Sequence, residues 1–310
     1  MDRLRAMQAF VRVVESGSFS AVARESGTTQ GAISKQVAAL EAALGARLLN
    51  RTTRSLALTD EGERYFEQAQ RLVGEIAEAE SLVRTGHRQL SGALRVAAAV
   101  GFGRIKVFPL VRDFVAAHPD LTVDLRLADG FVDLVEQGID IALRVGELRD
   151  SSLVARRIGL TRRHLVAHRD LVARMKRRGP KPPRHPQDLL RHDCIVYTEL
   201  STRNAWTFVA GEGASDPPGT EQVVRVRGSF STNSSEVIRA SVLAGMGIAY
   251  SPDWLFEAER ASGEVVTLMP GWHAPSLPIH LVSPAQRMRA AKVRAFAEHA
   301  ARAFEADAAR

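Results

Sequence analysis

Cysteine occurs once in the 310 residues, as Cys194, so no disulfide forms within the chain and a cross-linked secreted scaffold is excluded. Long apolar runs are missing: no window approaches eighteen uninterrupted apolar residues, and no transmembrane helix is expected. The start, MDRLRAMQAFVRVVESGSFS, is amphipathic and carries acidic residues, unlike the unbroken apolar core of a signal peptide. These absences together point to a cytoplasmic protein without a membrane partner.

Catalytic signatures are missing as well. No GxSxG elbow or P-loop occurs, and GFG at 101–103 lacks the third glycine and the acidic partner of a dinucleotide site. The nine histidines are scattered and a lone cysteine makes no CxxC pair, so no metal site is expected. Cys194 opens an apolar run, HDCIVYT, and reads as a small buried hydrophobe. Asp129 and Asp133 read as a solvated helix start. The expectation is a protein that is not an enzyme, with no catalytic residues and no cofactor.

What is present is an ordinary globular composition, 45% apolar and 25% charged, long enough for two or three domains. The net charge of +7 favours a polyanionic partner. Residues 1–60 hold eight basic and five acidic side chains, a net of +3, whereas the densest basic run is Arg162 to His185. That run has two readings, a solvated basic helix or a second nucleic-acid surface.

Periodicity separates three regions. In the first, to about Leu58, Leu4, Met7, Val11 and Val14 share a face of one helix. Ser20 is the predicted cap of a short second helix, AVARESG, stopped by Gly27. A third helix begins near Thr29 and ends at Gly45, with Ile33, Val37, Leu40 and Leu44 on its inner side. Its outer side holds Thr28, Gly31, Lys35, Ala38 and Ala42, with Ser34 beside them. Small residues let a helix approach a DNA groove, and Gln30 in the first turn reaches a base edge or phosphate. An ordinary Ala-rich bundle helix has the same pattern, so periodicity leaves both readings open. The stretch LLNRTTRSLALT then reads as a short hairpin around a basic turn.

The second region is one long helix from about Thr59 to Thr85, with Thr59 as its cap. Tyr65, Ala69, Leu72, Ile76, Ala79 and Val83 follow a heptad seam, which predicts dimerisation through this helix or packing on the chain's own domain. The third region, from about Ser91, alternates strands such as ALRVAAAV, LTVDLRLA, VVRVRGSF and PIHLV with helical patterns, among them FVDLVEQG and SSEVIRASVLAG. The alternation predicts parallel sheets in βαβ units, divided into two lobes.

At this point the order of elements is recognisable. SGSFSAVARESGTTQGAISKQVAALEAALGARLLNRTTRSLALTDEG followed by a long helix closely resembles the LysR-type transcriptional regulators. FVDLVEQGIDIALRVGELRDSSLVARRIG and LAGMGIAYSPDWLFEAERASGEVV continue it over nearly the whole chain. The resemblance implies an α plus α/β architecture. Residues 1–58 would be a winged helix-turn-helix and 59–90 a linker and dimerisation helix. Residues 91–310 would be a two-lobed effector-binding domain like the periplasmic binding proteins, lobe I about 91–161 and 267–310, lobe II about 162–266.

It further implies a sequence-specific regulator of double-stranded DNA, a homodimer or homotetramer whose small-molecule effector sets the arrangement of its DNA-binding heads. Thr28, Thr29, Gln30, Gly31, Ser34 and Lys35 would form the reading helix, and Arg51, Thr52, Thr53 and Arg54 the wing. Gly31 stands where the family often has proline or alanine, and Lys35 where arginine is common. The effector would meet Ala99, Val100, Gly101 and Phe102 after the first strand and Asp129 after the second. Arg144 after the third, then Tyr197, Thr198 and Glu199, and finally Thr232 and Asn233, would complete the cleft. The first loop lacks the Ser or Thr often found in carboxylate-binding members. Arg144 would pair an anion or be tied to Asp129 or Asp140.

Overall fold

The computed structural model describes residues 2–51, 56–85, 90–130, 132–148, 152–200 and 202–308. The chain forms two compact units, Met1–Ala93 and Leu94–Arg310.

In the first unit α1 (Arg3–Ser16) starts where the Asp2 carboxylate accepts the Arg5 amide at 3.2 Å, and stops at Gly17, whose φ of 65° suits glycine. After α2 (Phe19–Glu25) comes α3 (Gln30–Leu44), capped by Thr29 Oγ1, which accepts from the Ala32 amide at 3.2 Å, and ended by Gly45, as the spacing predicts. The cap of α2 corrects the sequence reading. Ser18, in extended conformation, accepts the Ala21 amide at 3.2 Å, whereas Ser20 already lies inside the helix. The helical turn begins as soon as Gly17 has reversed the chain, and that places the cap two residues earlier.

Ile33, Val37 and Leu40 of α3 share one core with Phe10 and Val13 of α1 and Val22 of α2. Each such side chain contributes about 1.5–3 kcal/mol by leaving water. Beyond α3, Glu41 Oε1 accepts the Leu48 and Leu49 amides at 2.8 and 3.1 Å and so aims an antiparallel hairpin, β1 (Leu49–Arg51) with β2 (Leu56–Leu58). Next, α4 (Asp60–Thr85) is capped by Thr59 Oγ1, accepting from the Gly62 amide at 2.9 Å, with Asp60, Glu61 and Glu63 facing its positive end. Gly62 is sterically required: a Cβ there would lie 2.0 Å from the Leu48 carbonyl oxygen.

The second unit has two five-stranded sheets and a small three-stranded antiparallel sheet. In the first sheet Gly92–Ala98 and Ile141–Val145 run parallel, but Leu277–Pro284 lies antiparallel to both Ile141–Val145 and Leu153–Thr161. In the second, Cys194–Tyr197 runs parallel to Phe230–Thr232 and Ile248–Pro252, while Arg163–His168 is antiparallel to Ile248–Pro252 and Val265–Thr267. The expected all-parallel sheets are therefore mixed. A continuous apolar run announces a strand buried on both faces; it carries no information on direction.

Two further expectations are corrected. FVDLVEQG is not a helix: residues 134–138 form turns. Asp133 Oδ1 accepts the Val135 and Glu136 amides at 2.8 and 3.0 Å, and Gly138 at φ 62° ends the turn after one revolution. VVRVRGSF is not one strand. Glu221–Arg225 pairs with Ala205–Ala210 in the small sheet, and Phe230–Thr232 joins a different one. Between them Gly228 lies so close to Cys194 that a Cβ would come 2.0 Å from its carbonyl oxygen.

Candidate nucleic-acid interface and ligand cavity

The outer side of α2 and α3 is built from the inside out. With Ile33, Val37 and Leu40 buried, the 3.6-residue period turns Gln30, Gly31, Lys35, Ala38 and Ala42 outward, and all five are exposed, as are Thr28 and Thr29. Ser34 is half-buried beside them. The two helices are held in register by polar contacts. Ser20 Oγ of α2 donates to Gln30 Oε1 of α3 at 3.0 Å, while Arg12 of α1 ties α2 to α1, its guanidinium clamping Glu25 at 2.7 and 2.8 Å and Glu15 at 2.8 Å. Lys35 makes no ion pair with a described residue, so its charge is available. The α3 N-terminus adds a positive dipole end and outward-facing amides. Arg51 belongs to β1 by its backbone; its side chain, and Thr52, Thr53 and Arg54, lie outside the described residues.

The heptad seam of α4 divides in two. Tyr65 and Ala69 pack into the unit's own core, Tyr65 with its ring 5.7 Å from that of Phe10, so these two do not form an exposed dimer face. The reason is that α1 lies along the first turns of α4. Leu72 is 40% exposed and Ile76 half-buried, while the side chains of Ala79 and Val83 lie outside the described set.

In the second unit a cavity of about 450 Å³ opens between the two larger sheets. Ala99, Phe102, Asp129, Arg144, Tyr197 and Glu199 line it, as the sequence reading expects. Val100, Gly101, Thr198, Thr232 and Asn233 are not among its walls. The Val100 amide is taken by Asp129 Oδ1 at 3.0 Å, Gly101 is pressed against Ser235, Thr198 donates its amide to the Thr232 carbonyl at 3.0 Å, Thr232 Oγ1 accepts the Ser234 amide at 3.1 Å, and Asn233 is exposed. Arg144 is tied structurally, but through Nη2 to the Val132 carbonyl at 2.8 Å. Asp140 is committed elsewhere, to the Arg95 amide at 2.8 Å and to Arg287 at 3.3 Å.

Sequence reasoning missed Arg163, Ser235, Tyr250 and Trp254, all of which line the cavity. For Arg163 a signal existed: in the strand RHLVAH it shares a face with Leu165 and Ala167, which are core residues. Counting it with the basic run hid that alternation. Burial lowers the Arg163 pKa, opposed by Tyr250, and raises those of Tyr250 and Tyr197, the last helped by Asp129 and Glu199. Both phenols stay protonated as hydrogen-bond donors. Cys194, buried in the strand below, has its thiol pushed up to about 12 by burial and is no thiolate at neutral pH.

Two family models match this chain: the bacterial regulatory helix-turn-helix protein, lysR family, over residues 4–63, and the LysR substrate binding domain over residues 87–305. Among curated proteins it is similar to the HTH-type transcriptional regulator PtxR of Pseudomonas aeruginosa, 37% identical over 95% of this chain and 91% of that one. It is also similar to the regulator CrgA of Neisseria meningitidis, 35% identical over 84% of this chain and 83% of that one. The solved structure of CrgA is alike in fold, with a TM-score of 0.59 at 32% identity over 97% of this chain and 98% of that one. The full-length structure of the Vibrio cholerae virulence activator AphB aligns with a TM-score of 0.57 at 26% identity, covering 96% and 98% of the two chains.

Proposed function

The chain belongs to the LysR family of helix-turn-helix transcriptional regulators, and we propose that it reads double-stranded operator DNA as a homodimer or a tetramer, under control of a small molecule held in the cavity of its C-terminal half. Residues 1–58 serve as the reading head, 59–90 as the linker and 91–310 as the effector domain. The observation that carries the DNA reading is the outer face of α3, where Gln30 and Lys35 project from small neighbours on a helix capped by Thr29. Gln30 offers its amide to a base edge, and Lys35 supplies a point charge to a phosphate. Arg51 and Arg54, the expected wing residues, add contacts to the DNA backbone. The part of α4 from Leu72 to Val83 pairs two chains, so that two heads meet two half-sites.

Control is positional: a ligand that favours one arrangement of the two sheets shifts the population of oligomer geometries, and with it the spacing of the heads. The protein acts in the cytoplasm, as a regulator and not as a catalyst. A gel shift near physiological salt tests this reading. Preference for DNA upstream of its own or neighbouring genes over random DNA is the expected result, and equal binding to both would refute it.

A further inference from the structure

One cation lining the cavity, Arg163, has no carboxylate partner among the described residues. Arg163 lies with its guanidinium carbon 4.5 Å from the centre of the Tyr250 ring, and its Nε is buried without a hydrogen-bond partner. Among the described residues Tyr250 alone counters its desolvation, and no carboxylate couples to it. Several other partly buried cations of this unit face a carboxylate: Arg287 pairs with Asp140 at 3.3 Å, Lys106 with Asp307 at 2.9 Å, and Arg239 with Glu259. Arg144, which lines the cavity from the first sheet, is held by the Val132 carbonyl.

Withdrawing a guanidinium from water is costly, and a cation–π contact returns only part of that cost. An anion arriving from solution would recover the remainder. The planar fork of Arg163 suits a carboxylate, which takes two parallel N–H bonds. Around it the walls are apolar: Phe102 and Trp254, 5.3 Å apart, with Ile195 and Ile238. Among the described residues the other charged walls are Arg144 and the acids Asp129, Glu147 and Glu199, and the acids disfavour a ligand with a second negative group.

Building on the reading of this cavity as an effector site, we propose that Arg163 is its anion anchor and that the effector is a small organic acid with one carboxylate and a flat or apolar body. The anchor stands on the second sheet, which explains how a first loop without Ser or Thr is compatible with an acidic ligand.

Calorimetric titration of the full-length protein with matched acids and amides, phenylacetate against phenylacetamide and hexanoate against hexanamide, tests the proposal, with inorganic phosphate as a further probe. Wild type is expected to bind at least one acid about tenfold or more tighter than its amide. Arg163→Gln is expected to lower acid affinity about tenfold or more and so remove that preference, and Arg163→Lys restores part of it. Equal binding of acid and amide by wild type, or an acid preference that survives in Arg163→Gln, overturns the anchor. Phosphate binding as tightly as the organic acids overturns the apolar body. Should Arg163→Gln not fold, the wild-type comparison decides alone. If neither acids nor amides bind, the effector-cavity reading itself fails; binding of amides without an acid preference leaves that reading standing and removes only the anchor.

Discussion

Ser20 and Gln30 are joined across the turn between α2 and α3, the serine hydroxyl donating to the carboxamide oxygen at 3.0 Å. The bond occupies the acceptor end of Gln30 and leaves its amino group to face outward. Gln30→Ala is therefore expected to lower the ratio of specific to random DNA binding by about tenfold, and Ser20→Ala by a smaller factor through loss of orientation. Lys35→Ala weakens both kinds of binding alike and reduces the salt dependence of log K by about one unit of slope. Fluorescence anisotropy over a salt series separates the two. Equal losses on specific and random DNA for Gln30→Ala would count against base reading.

Two glycines of α4 predict effects of opposite sign. At Gly62 an added Cβ would meet the Leu48 carbonyl oxygen at 2.0 Å, whereas at Gly74 nothing lies within 4 Å. Gly62→Ala is expected to destabilise the N-terminal unit by about 1–3 kcal/mol. Gly74→Ala is expected to stabilise the helix by up to about 1 kcal/mol. Thermal melts followed by circular dichroism test both, and a neutral Gly62→Ala would show that the α4 start is not tightly seated.

The seam of α4 predicts a change of function partway along it. Leu72→Glu keeps a good helix former but places charge on an exposed apolar position, and is expected to weaken dimerisation by about tenfold or more without unfolding the chain. Tyr65→Ala, by contrast, removes a ring packed against Phe10 and destabilises the fold first. Sedimentation velocity combined with melting distinguishes them; an unchanged dimer in Leu72→Glu would move the interface elsewhere.

Acid sensitivity follows from His192. It is 8% exposed with Nε2 unpartnered, and desolvation holds its pKa below the ordinary 6.5. In the window below pH 6.5, down to its depressed folded pKa, the unfolded chain binds the proton more readily than the folded one. Stability is therefore full above 6.5 and falls as the pH drops through that window. His164, also lowered chiefly by desolvation, adds to the same trend. Urea titrations between pH 7.5 and 5.5 should show a shallower loss for His192→Gln than for wild type, and parallel slopes would dismiss the assignment.

The sequence by itself determined the local features. The period of Ile33, Val37 and Leu40 placed α3 and its outer face, and Thr29, Gly45 and Thr59 marked helix ends through caps that act within one turn. These depend on neighbours three or four residues away, so they are written in the local pattern. Tertiary structure alone decided which apolar seam residues were free. Tyr65 and Leu72 look alike in a heptad, and only the approach of α1 buries the first and leaves the second exposed. It also decided strand direction, because an apolar run is buried on both faces whichever way it points. The cavity was the least legible part. Arg163 and Tyr250 are 87 positions apart in the chain, and only antiparallel pairing of their strands stacks one on the other, turning a member of a basic run into a charge withdrawn from water with no carboxylate partner among the described residues.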